Sequence, residues 1–338
     1  MTTGKSQSET QLHKEMDKEL IVLAAPRFDD AYYADVYDQI VAFQIGYAQQ
    51  IAQHDLVLVL TDKAGYPHYA SALGSARVVV APMRDIWIRD FSLSNAAAPV
   101  KFRYTAAGQG SGVHGQREAD FVQRTFNQLL ADARITQAST ELLNDGGNFV
   151  DDYAGNVVMS NKFLRDNNLS EAQARGDIRA LTGARQVAFI EADEQGGLEH
   201  ADGVVAFVDQ NTVIVNAYPD DPNYATQLHA DLRAGLPQVA IHEIVAPWFG
   251  DNTYDKRFGS ACGLYTNALV TPHRIYFPQF GIPEDKIALQ QIRAITDKQV
   301  IPVDSAKVCH MGGGVRCLSW QLRGPLAEKL LQHMRSLH

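Results

Sequence analysis

Asn144-Asp145-Gly146-Gly147-Asn148-Phe149-Val150-Asp151-Asp152-Tyr153-Ala154-Gly155-Asn156-Val157-Val158-Met159-Ser160 holds the architecture of this chain in miniature. Apolar residues flank Asp152-Tyr153-Ala154-Gly155-Asn156, a cluster of turn formers, so the segment from Asn148 onward reads as a β-hairpin. Ser170 and Gln173 then stand three apart, as a capping box does, before a helix over 170–181 that Gly183 stops. The apolar run 186–191 reads as a strand. One unit is therefore an acidic residue, a hairpin, a helix and a strand.

On either side the order recurs. A hairpin over 91–104, a helix over 118–131 and a strand over 135–140 come before it. After it comes a hairpin over 203–216 that turns at Asp209-Gln210-Asn211, then a helix over 224–234 and a strand over 238–245. A further hairpin over 264–277, helix over 283–295 and strand over 299–303 follow. The two ends of the chain supply the rest. At the start are a strand at 19–25 and a helix in which Tyr33, Val36, Tyr37, Ile40, Val41 and Ala48 fall at helical spacing. An apolar run at 56–60, a short helix at 69–73 and a strand at 77–81 follow. At the other end are a strand entered at Cys317 and a helix over 325–337. Units that cannot bury their own faces must pack on each other. Five units without atypical capping ends favour a closed ring, and the hairpins argue against an all-parallel doubly wound sheet. The expectation is an α/β fold with one domain over 19–338, preceded by a solvated tail at 1–18.

Composition narrows the function. A length of 338 residues, 46% hydrophobic and 20% charged, fits an ordinary globular protein. A net charge of −9 argues against nucleic acid, which needs a basic face, and agrees better with a cationic ligand. No apolar run reaches the roughly 18–20 residues of a membrane span, and no apolar leader is visible near the N-terminus. Cysteines occur only at 262, 309 and 317, an odd and sparse set that reads as unpaired thiols in a reducing, cytoplasmic setting. A homo-oligomer is compatible with the sequence.

The chemistry lies where the hairpins begin. Asp90, Asp145, Asp202, Cys262 and Cys317 are separated by 55, 57, 60 and 55 residues. Equivalent places in a ring of units face one axis, so these side chains are expected around one cavity. Cys317 follows the glycine-rich Gly312-Gly313-Gly314-Val315-Arg316 and is the candidate nucleophile; a buried core cysteine is the alternative. His200, beside Asp202 in Glu199-His200-Ala201-Asp202-Gly203, suits general acid/base work. On an extended segment His200 and Asp202 share one face, and a metal on that pair is a second option, although no recognised ligand motif is present. The glycines of Asp145-Gly146-Gly147 let the backbone carry Asp145 into a crowded centre. Several carboxylates close together need a cation among them, and a planar guanidinium answers this by pairing bidentately. Its central carbon would then lie over the thiolate.

Trp87-Ile88-Arg89-Asp90, Asp145-Gly146-Gly147-Asn148, Glu199-His200-Ala201-Asp202-Gly203, Tyr265-Thr266-Asn267 and Gly312-Gly313-Gly314-Val315-Arg316-Cys317 resemble, in order, the motifs of agmatine deiminases and bacterial Porphyromonas-type peptidylarginine deiminases. The resemblance runs from about residue 20 to the C-terminus. It implies the five-bladed pseudo-symmetric α/β propeller (pentein) of guanidino-group-modifying enzymes, built of ββαβ-type modules. It also implies Cys317 as nucleophile, His200 as general acid/base, and Asp90 and Asp202 as the carboxylates that grip the guanidinium. Trp87, Asp145, Asn267 and Gly314 fall among the substrate-binding positions. Neither a metal nor an organic cofactor is implied. The reaction implied is deimination of agmatine to N-carbamoylputrescine and ammonia. Free or peptidyl arginine is the alternative substrate, and a silent guanidine-binding protein is the alternative of another class. The chain departs from agmatine deiminases twice. It has Asp145 where they usually carry Glu, and Val315-Arg316 where they usually have Ile-His. Alternation along an extended strand would turn Arg316 away from Cys317.

Overall fold

Leu20–Ala24 (β1) explains how the molecule is layered. All five residues are fully buried, as a strand with apolar neighbours on both faces requires. Ile21 and Leu23 pack with Ile40 and Tyr47 of the helix Tyr37–Ala52 (α1). Leu20, Val22 and Ala24 pack on the other side with Val122, Phe126 and Leu330. The computed structural model describes residues 18–193, 197–250 and 252–337. The tail expected at 1–18 lies, apart from Lys18, outside the described residues.

From β1 the chain runs through α1 to Leu56–Thr61 (β2), then Tyr66–Leu73 (α2) and Val78–Val80 (β3). Next come Ile88–Phe91 (α3), Val100–Arg103 (β4), Gly112–Asp132 (α4) and Ala138–Leu143 (β5). The third set is Val150–Asp151 (β6), Asn156–Ser160 (β7), Lys162–Asn167 (α5), Glu171–Thr182 (α6) and Gln186–Ile190 (β8). Val205–Asp209 (β9), Thr212–Asn216 (β10), Pro222–Gly235 (α7) and Ala240–Ile244 (β11) form the fourth. Leu269–Val270 (β12), Arg274–Gln279 (β13), Glu284–Ala294 (α8) and Gln299–Asp304 (β14) form the fifth, before Ser319–Leu322 (β15) and Gly324–Arg335 (α9).

Among the described residues these strands make five sheets, with orders β15-β1-β2-β3, β4-β5, β6-β7-β8, β9-β10-β11 and β12-β13-β14. Three repeat one pattern, an antiparallel hairpin followed by a helical crossover to a parallel strand. The first sheet obtains its antiparallel member from the far end of the chain, where β15 pairs with β1 and Val22 lies opposite Trp320. Asp55 links distant units further, since it accepts from Arg274 Nη1 at 3.2 Å and from the Tyr276 hydroxyl at 2.7 Å.

Each helix expected from the sequence forms near its position, with the Ser170–Gln173 capping box made, while the short helices Ile88–Phe91 and Lys162–Asn167 had not been expected. The hairpin expected at 91–104 shrinks to an isolated Ser94–Val100 bridge beside β4. Pro99 precedes that bridge and has no N–H for a ladder. The cysteines need correction. Cys262 and Cys309 form a disulfide, leaving Cys317 as the free cysteine. Their pairing also removes the ground for a reducing compartment. No helix among the described residues is long and apolar enough to cross a membrane.

Candidate active site

Cys317 lines a cavity of about 280 Å³, together with Trp87, Asp90, Tyr104, His200 and Phe258. Trp87 and Asp90 reach the cavity from a helical turn, because Ile88–Phe91 is helical and not extended. His200 precedes a 3-10 turn over Ala201–Gly203, which sends it to the cavity and leaves Asp202 behind. Glu199, just before it, has the left-handed φ of 52° that a non-glycine residue adopts only under constraint. Its carboxylate is held by Arg165.

The expected residues do converge. His200 Nε2 is 2.9 Å from Asp145 Oδ2, and its Nδ1 is 3.8 Å from Asp90 Oδ1. Asp90 Oδ1 accepts from the backbone N–H of Gly147 at 3.0 Å. Cys317 Sγ is 3.8 Å from Asp202 Oδ2 and accepts from Asn267 Nδ2 at 3.1 Å. The backbone of Gly314 also hydrogen-bonds the thiol. The crowding explains the glycines: a Cβ on Gly147 would lie 2.4 Å from His200 Nδ1, and one on Gly313 would lie 2.4 Å from the Trp87 ring.

Several expectations need revision. Asp145 stands behind His200 and away from the cavity wall, with both its oxygens bonded to Thr105 at 2.9 Å. Asn267 and Gly314 likewise stand behind the wall, against the thiol. Cys262, the fourth phased position, is tied to Cys309 and is absent from the cavity lining. Arg316 does not turn away: the chain enters a strand only at Ser319, and Arg316 Nη1 donates to Asp202 Oδ2 at 2.8 Å. Thr105 and Asp85 had not been singled out in the sequence. Asp85 lines the cavity and accepts from Tyr33 at 2.6 Å and Gln109 at 2.9 Å. Its place two residues before Trp87 was the signal available.

Burial and charge set the protonation of this centre. Burial pushes the Asp90 carboxyl up to about 7; Asp145 and Asp202 push the same way and His200 opposes them. Burial alone would lower His200, but Asp90 and Asp145 more than offset it and raise the imidazole to about 9. Burial, Asp202 and Asp90 push the Cys317 thiol well above its usual range. Among these protein groups alone the sulfur is therefore favoured as a thiol and the histidine as a cation. A cation entering among the carboxylates would reverse the pressure on the sulfur.

A buried cysteine, a histidine held by a carboxylate and two further acids around one cavity define an α/β protein equipped for nucleophilic chemistry on a cationic carbon centre. The chain belongs to the Porphyromonas-type peptidyl-arginine deiminase family, whose model matches residues 11–322. A Lactococcus lactis protein provisionally assigned as an agmatine deiminase is 23% identical over 314 residues, covering 81% of this chain and 84% of that protein. The agmatine deiminase of Enterococcus faecalis has a similar solved structure, with a TM-score of 0.74 at 18% identity over 91% of this chain and 94% of that one. The C. jejuni agmatine deiminase gives a TM-score of 0.73 at 16% identity, covering 92% and 95%.

Proposed function

We propose that this protein is a cysteine-dependent hydrolase that deiminates a small guanidinium substrate, with agmatine converted to N-carbamoylputrescine and ammonia. The observation that carries the reading is that Cys317, His200 and Asp90 line one cavity. Family membership and the agmatine deiminases among its relatives support it.

The guanidinium enters a cavity lined by Trp87, Tyr104 and Phe258, aromatic residues that suit a planar cation. Asp90 takes its N–H groups from the cavity wall, and Asp202, behind that wall and 3.8 Å from the sulfur, adds negative charge that draws the cationic carbon toward Cys317. The substrate's own charge favours loss of the Cys317 proton to solvent. The thiolate attacks the carbon, His200 gives its proton to the departing ammonia, and a covalent thiouronium remains. Water, deprotonated by His200, then attacks the same carbon. The C–S bond breaks, the thiolate is restored and the ureido product leaves. Asp145 orients His200 and keeps it protonated for the first step, while Asn267 and Gly314 support the thiolate.

We read the five sheets as five blades of one domain about a shared axis. The pairing of β15 with β1 supports that reading, since it brings the end of the chain back to its start.

The test is ammonia release and ureido formation across agmatine, free arginine, a peptide-terminal arginine and a small alkylguanidine. Agmatine should give one ammonia and one ureido product per turnover, and Cys317→Ala should abolish both. Turnover by Cys317→Ala near that of the unmodified protein would sink the assignment.

A further inference from the structure

Arg316 has no task in the steps above, yet it sits at their centre. It is 6% exposed, and its guanidinium bonds only to other units of the chain among the hydrogen bonds of the described residues. Nη1 donates to Asp202 Oδ2 at 2.8 Å and to the Gly146 carbonyl at 3.3 Å, and Nη2 donates to the Phe149 carbonyl at 2.7 Å. That same Asp202 oxygen is 3.8 Å from Cys317 Sγ. Guanidinium, carboxylate and sulfur are thus in series, with one oxygen between two groups that titrate or carry charge.

A carboxylate this close opposes ionisation of the sulfur by direct repulsion, and a buried carboxylate without a counter-ion is itself costly. The other charged groups here are engaged elsewhere. Arg89 donates to Gln321 Oε1 at 2.9 Å and to the Arg316 carbonyl at 3.4 Å. Asp151 and Tyr153 act on Arg316 from the β6–β7 hairpin. Asp90 and His200 line the same cavity as Cys317, and Asn267 donates to the sulfur. Among the described residues, the ion pair made by Asp202 is the one with Arg316.

Building on the deiminase reading, we propose that Arg316 is a positioning residue whose guanidinium balances the Asp202 carboxylate and fixes it beside Cys317, so that the sulfur can ionise next to an acid the substrate also needs. Asp202 is then shared between two guanidinium groups, one from the chain and one from the substrate. The three contacts hold Arg316 in one place, so its charge cannot swing into the cavity and compete with the substrate.

The test reads the thiolate directly, through the rate of iodoacetamide alkylation of Cys317 in the full-length, substrate-free protein at pH 9, localised by mass spectrometry. Arg316→Gln can still donate to the carbonyls but carries no charge, so alkylation should slow about tenfold, the effect of one lost charge contact. Arg316→Lys keeps the charge and should stay within about threefold of the unmodified protein. The double variant Arg316→Gln/Asp202→Asn removes both charges and should recover the rate. Asp202→Asn alone leaves Arg316 unopposed and should alkylate faster, which keeps the test decisive if melting curves show that Arg316→Gln does not fold. Equal rates for Arg316→Gln and the unmodified protein, a Lys variant as slow as the Gln variant, or no acceleration in Asp202→Asn would each overturn the proposal. The readout contains no guanidine, so failure of every substrate in the deimination panel would reject the functional reading without deciding this one.

Discussion

His200 meets Asp145 through Nε2 at 2.9 Å and faces Asp90 through Nδ1 at 3.8 Å, which gives the residue scale a definite pH range. In the proposed mechanism the first chemical step needs Asp90 as a carboxylate and His200 as a cation. With Asp90 at about 7 and His200 at about 9, kcat/KM should rise through pH 7 and fall through pH 9. Asp145→Asn removes the charge and bond that help raise His200. The alkaline limb should therefore move to lower pH by about 1–2 units, as measured in the pH profile of kcat/KM. A limb that stays in place would assign it to another group. His200 also links stability to pH. Its folded value lies above its ordinary 6.5, so its contribution is full below that value and is lost as pH rises through about 9. Asp145 was visible in the sequence as an acid before two glycines. That it serves His200 was not visible, because the two residues are 55 positions apart and meet only after folding.

At the scale of elements, the helices were legible because their apolar faces repeat over several turns. The short connectors that carry the site were not. The segment of His200 and Asp202 and the segment before Ser319 were each read as extended, and each is a helical turn or irregular. Three or four residues are too few for a period to declare itself. The error mattered most at Arg316, where strand alternation pointed the side chain away from the centre it occupies. Gly147 offers the prediction at this scale. Alanine there would set its Cβ 2.4 Å from His200 Nδ1 and 2.9 Å from Asp90 Oδ1, so one of the two must move. Displacing a reacting group by about 1 Å costs on the order of a hundredfold, and Gly147→Ala should lower kcat/KM by about that factor with the fold intact by circular dichroism. Unchanged kinetics would show that the centre tolerates the methyl group.

Across the whole molecule, contacts of high sequence separation hold the units together. β15 completes the sheet of β1, Arg323 pairs with Glu19 at 2.9 Å, and Asp55 joins Arg274 and Tyr276. The Cys262–Cys309 bond, across 47 residues, adds a covalent link next to the cavity. It ties the segment carrying Arg257 and Phe258 to the loop carrying Met311, Gly312 and Cys317, all of which line the cavity. Closing a loop of that length in the unfolded chain is worth about 2–4 kcal/mol. Urea unfolding of the reduced protein should show a loss of that order, and equal midpoints with and without reductant would refute the stabilising role.

By itself the sequence determined the repeating unit, the α/β class and four of the five phased residues that come together, because periodicity, turn chemistry and phase are local or simply additive along the chain. Tertiary structure alone decided which residues face the cavity and which stand behind it. Asp145 and Asp202 differ from Asp90 in no local feature of type or phase, yet one is spent on His200, one on Arg316, and only Asp90 lines the cavity. It also decided that two cysteines pair and one stays free. Pairing partners are chosen by distance in space, and a single sequence states distance only along the chain.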